Sequence, residues 1–89
     1  MAIKLLIDGA AFVDLTGADI SNIQWQNTGG GTVRVVRSDS QPDSDTLDAW
    51  QYEPHEGERG SLDMLYPAGE GSRLWFQSFT GTAIRYVFS

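Results

Sequence analysis

Apolar side chains in this chain recur at every second position, and no window carries the i, i+3, i+4, i+7 pattern of an amphipathic helix. Ile3, Leu5 and Ile7 alternate with Lys4, Leu6 and Asp8, and Ala11, Val13 and Leu15 alternate with Phe12 and Asp14. Ile23 and Trp25 alternate with Asn22, Gln24 and Gln26, a strand with one wet face. Val33 and Val35 flank Arg34, with Val36 on the second face. A period of two is that of a pleated strand, whose successive side chains point to opposite faces. β-Branched and aromatic residues dominate residues 74–79 and 83–88, which read as a closing hairpin across Thr80-Gly81-Thr82. Asp8-Gly9, Thr16-Gly17 and residues 56–60 read as further turns, and Gly29-Gly30-Gly31 as a hairpin loop using positive φ. Residues 50–53 and 62–66 read as short strands, and residues 39–48 and 67–72 as loops. The expected fold is all-β: a small antiparallel β-sandwich or jelly-roll-like domain of about seven strands, a single domain spanning residues 1–89.

The chain has no cysteine, so neither a disulfide nor a thiolate metal site supports it, and packing must hold its 89 residues together. Cysteine-free composition fits folding in a reducing compartment. The first residues lack the basic and long apolar stretches of a secretory leader, and no run approaches the roughly 20 apolar residues of a membrane span. A soluble protein with no membrane partner is expected. The net charge of −6 is unevenly placed. Asp39, Asp43, Asp45, Asp48, Glu53, Glu56 and Glu58 form an acidic excursion with no Lys or Arg inside it. The bases Lys4, Arg34, Arg37, Arg59, Arg73 and Arg85 are scattered along the chain, which argues against direct contact with nucleic acid.

Catalytic and cofactor chemistry find little to stand on. His55 is the only histidine, and its neighbours Glu53, Glu56 and Glu58 sit in a Pro- and Gly-bearing segment where nothing makes them converge. No G-x-S-x-G elbow is present. Asp43, Asp45 and Asp48 resemble a calcium loop only superficially, because Leu47 stands where an oxygen ligand is needed. Gly29-Gly30-Gly31 lacks the Lys-Ser/Thr of a phosphate loop, and Gly69-Glu70-Gly71 sets a carboxylate where phosphate would lie. No enzyme, cofactor or metal is expected.

Several expected strands are apolar on both faces. Leu6 opposes Leu5 and Ile7, Phe12 opposes Val13, Val36 opposes Val35, and Trp75 and Phe79 oppose Leu74 and Phe76. A lone sandwich buries one face of each sheet and wets the other, so the surplus marks interaction surfaces unless loops of the same chain cover it. Leu6, Phe12, Val36, Trp75 and Phe79 are the expected interface residues, with Arg34, Arg37 and Arg85 as charged rim. The abundance of aromatics, with Trp25, Trp50 and Trp75 among them, also admits a small carbohydrate-binding module.

The opening strand ending in Phe12-Val13-Asp14-Leu15-Thr16-Gly17 leads to Ile23-Gln24-Trp25-Gln26-Asn27 and its glycine loop. Val33-Arg34-Val35-Val36 then precedes a proline-containing loop, and Leu74-Trp75-Phe76 precedes the terminal strand. In this order of strands and turns the chain resembles small β-sandwich structural proteins of tailed-bacteriophage virions, capsid decoration proteins among them. The resemblance implies a non-enzymatic virion protein, folded in the bacterial host cytoplasm. It further implies a homo-oligomer, a trimer in first place, bound to a viral structural protein such as the major capsid protein. Decoration or cementing of the capsid shell is the favoured role; tail, fibre and head–tail joining components share the architecture.

Overall fold

The computed structural model describes residues 3–67 and 71–89. Their elements are β1 (Ile3–Asp14), β2 (Asn22–Asn27), β3 (Val33–Arg37), β4 (Trp50–Tyr52), β5 (Gly57–Ser61), α1 (Leu62–Leu65) and β6 (Leu74–Phe88). All six strands belong to one curled antiparallel sheet. Two long strands organise it. β6 pairs with β1 along one side, while its other side pairs with β3 in its first half and β2 in its second. Two arms result, β4-β3-β6-β1 and β5-β2-β6-β1, sharing the long pair.

That pair bends where its glycines allow it. Gly9 (φ 114°) and Gly81 (φ 81°) sit at register shifts between Ile7↔Thr82 and Gly9↔Ser78. The left-handed backbone expected to reverse the chain at each of these glycines instead kinks a continuous strand as a bulge. The expected closing hairpin is thus one strand of 15 residues. Two further expectations fail. Residues 57–61 are a strand, not a turn, and residues 62–65 are a helical turn, not a strand. Ser61 caps that turn by accepting from the Met64 N–H at 3.2 Å. Leu62 and Tyr66, four apart, are buried while Met64 between them is exposed, which is helical spacing. Nor do the glycines after β2 serve positive φ: Gly29 and Gly31 are pressed against Thr82 and Gly81, leaving no room for a Cβ. The loop expected over residues 67–72 falls partly on residues 68–70, outside the described set.

The core lies inside the curl. β2 buries Ile23, Trp25 and Asn27 and exposes the residues between, as its alternation predicts. Trp25 meets Tyr52 and Phe76 edge-on, with ring centroids 4.6 and 5.2 Å away. Val33, Val35, Leu74, Ile84 and Tyr86 belong to the same cluster, and the Tyr86 hydroxyl donates to the Leu15 carbonyl at 2.7 Å.

Candidate interaction surface

The register of β3 against β6 pairs Arg34 with Gln77 and Val36 with Trp75, so these four share the face opposite Val35 and Phe76. That second face is covered by the chain itself. Residues 38–48 fold back over it: Arg34 donates to the carbonyls of Ser44 and Thr46 and to Gln77 Oε1 at 2.7 Å. Gln77 Nε2 donates to the carbonyls of Ala10 and Ser44, Gln41 to the Phe12 carbonyl, and the Trp75 indole to the Ser38 carbonyl. Beneath this lid the Arg34 guanidinium lies over the Phe12 ring, 5.8 Å from its centroid.

The expected interface set therefore divides. Phe12 is 1% exposed and Val36 is buried, so both belong to the interior, and Trp75 is largely covered. Phe12 keeps the face its alternation gives it, opposite Val13 and core-facing Phe76, and it is buried there because the folded-back loop covers that face. Arg34 and Arg37 serve as internal clamps and not as rim charges. Arg37 donates to the carbonyls of Gly71 and Tyr66 and pairs with Asp63 at 2.9 Å. Leu6 (78% exposed), Phe79 (59% exposed) and Arg85 do lie on the surface.

Leu6 and Phe79 flank the double bulge, Leu6 opposite Ala83 and Phe79 beside the Gly9↔Ser78 step. β1 pairs only with β6, so its other edge carries no strand partner among the described residues. Gln41 covers that edge at Phe12; residues 3–6 present it with Ile3, Leu5 and Leu6 all exposed. A strand edge lined by apolar side chains is a template for association.

Two features were not foreseen. Lys4 pairs with Arg85 across β1 and β6, Arg85 with Gln26 of β2, and Gln24 of β2 with both Val87 and Arg59. The outer face of the β5-β2-β6-β1 arm thus gathers three of the six bases, with Leu6 and Val87 among them. No ion pair or side-chain hydrogen bond among the described residues involves those three. Cations distant in sequence meet here only through strand register, which no local signal reveals. On the other arm, a cavity of about 660 Å³ opens between the acidic loop and β3, lined by Val36, Asp43, Leu47, Asp48, Trp50 and Tyr66 among others.

Under that cavity the Tyr66 and Tyr52 hydroxyls stand 2.9 Å apart, and Tyr52 donates to Glu58 at 3.0 Å. Burial pushes the Tyr66 hydroxyl up to about 12. The Tyr52 hydroxyl is pushed up further, by burial first and then by its hydrogen bond to Tyr66. In the unfolded chain tyrosine ionises near its ordinary 10.0, so the neutral pair stabilises the fold fully below that pH and loses its contribution as pH rises toward 12. Denaturant titrations followed by circular dichroism should show a fall of about 2–3 kcal/mol across this window from Tyr66 alone. A flat profile from pH 10 to pH 12 contradicts the buried pair.

His55 is exposed in the turn between β4 and β5, at a φ of 73°, with its N–H donating to the Asn27 carbonyl. No three His or acidic side chains among the described residues converge to hold a metal ion, and no helix there is long and apolar enough to cross a membrane. No family model, curated protein or solved structure matches the chain.

Proposed function

We propose that this chain is a non-enzymatic structural protein of a tailed-bacteriophage virion, bound to the capsid shell as a decoration or cementing subunit and acting as a homo-oligomer, a trimer in first place. In this reading the curled sheet is a small β-sandwich whose two arms are its layers. The observation that carries it is the apolar set left exposed after the loop has covered the second face: Leu6 and Phe79 at the bend, and Ile3 and Leu5 on the unpaired edge of β1. An isolated chain gains nothing by showing these to water, whereas a protein partner would bury them. Each contact is modest, but many copies on a closed shell raise the effective concentration of every further contact.

Replacing both Leu6 and Phe79 by glutamate tests this reading. Exposed positions tolerate substitution within about 0.5 kcal/mol, so the variant should melt like the parent chain. Its amount on gradient-purified virions, read by quantitative mass spectrometry, should fall roughly tenfold or more, as for loss of central apolar anchors. Unchanged incorporation would count against docking through these residues.

A further inference from the structure

The two unforeseen features complement one another. On one arm, Asp43, Asp45 and Asp48 are all exposed on the covering loop, with Leu47 at 95% and Trp50 at 57% exposure beside them. On the outer face of the other arm stand Lys4, Arg59 and Arg85, all exposed, with Leu6 next to Lys4 along β1 and Val87 next to Arg85 along β6. Three carboxylates and two apolar groups on one patch answer three cations and two apolar groups on the other.

We infer that the partner of the basic face is the acidic loop of a second copy of this chain, joined head to tail. The inference deepens the assembly reading by naming one partner and its contact. Charge selects this occupant. The two positive side chains Lys4 and Arg85 are set directly opposite each other across the strand pair, an arrangement that repels in the free chain and is relieved by an approaching carboxylate. Carboxylates set beside apolar groups, as on the loop, match this face in both respects, whereas a phosphate backbone offers the charge without the apolar contacts. The loop supplies a seat as well as charge. Its cavity is bounded by the Trp50 ring, on whose face a cationic side chain can rest, and by Asp43 and Asp48. Arg37, also on the cavity wall, is already paired with Asp63. Because the two patches differ and lie on different arms, the contact is heterologous: repeated, it closes a ring or extends a chain.

Sedimentation velocity on the full chain, up to about 1 mM, the weak end of specific association, tests the contact. The parent chain should associate, with a dissociation constant rising roughly tenfold or more between low salt and about 0.5 M, as screening shortens the reach of charge. Charge reversal of the face (Lys4→Glu with Arg85→Glu) and of the loop (Asp43→Lys with Asp48→Lys) should each leave monomers that melt like the parent. Mixing the two variants should restore association, since each then carries the complement of the other. A monomeric parent, an oligomer indifferent to both reversals, or a mixture that stays monomeric overturns the inference. None of these bears on whether the chain rides on virions, which the incorporation measurement reads separately. Binding of a neutral oligosaccharide at Trp50 that blocks association in none of these samples would likewise overturn the assignment of the cavity to a second copy.

Discussion

Replacing Phe12 with alanine is expected to cost about 3–5 kcal/mol, the usual penalty for emptying a buried phenylalanine site. The ring is 1% exposed and lies outside the main core cluster, in a second small interior between the outer face of the β3-β6-β1 arm and the folded-back loop. Its removal leaves the Arg34 guanidinium without the ring it rests on. A domain of this size holds only about 5–15 kcal/mol in total, so the variant should be close to half unfolded at moderate urea. Phe79→Ala is the matched control: that ring is exposed, and its loss should shift the urea midpoint very little. Equal midpoints for Phe12→Ala and the parent chain would mean that the loop does not close over this face.

Arg34→Ala should release the loop itself, at about 2–4 kcal/mol. One guanidinium ties β3 to the carbonyls of Ser44 and Thr46 and to the Oε1 of Gln77, whose side chain is fully buried. Without it, Gln77 Oε1 is left in the interior without this donor, and a buried acceptor stripped of its partner bears the full desolvation cost. Arg34→Met separates the contributions, since it keeps the apolar stem and loses every hydrogen bond. Both variants should be cut faster by protease within residues 39–48, with β2 and β6 left intact at first. Unchanged cleavage in Arg34→Met would show that packing, and not the guanidinium, holds the loop.

Strand identity was legible wherever one face is wet. The residues of β2 alternate cleanly because Asn22, Gln24 and Gln26 face water while Ile23 and Trp25 face the core. The ends of the long strands were not legible, for a physical reason: a positive-φ glycine reverses a chain in a hairpin and kinks it in a bulge, and Gly9 and Gly81 carry the same local signal for either outcome. Phe12 does lie on the second face that its alternation gives it; its burial was not legible because it comes from the loop folded over that face, which a strand pattern does not show. α1 hid because Leu62, Met64 and Tyr66 alternate as a strand would, while only the i, i+4 pair is buried. Leu6 and Phe79 could be picked as outward-facing from the apolar surplus alone. The clamping roles of Arg34 and Arg37 could not, since carbonyl partners leave no trace in side-chain pattern. Nor could the gathering of Lys4, Arg59 and Arg85, which depends on the register of four strands.

The proposed role requires the exposed apolar groups to find protein partners in a particle. The copy number of the wild-type chain in gradient-purified virions bears on it most directly, measured by mass spectrometry against the major shell protein. Recovery in a fixed ratio matched to the symmetry of the shell is the expected result. Recovery of the chain only from the soluble fraction, with none retained on intact particles, would contradict it.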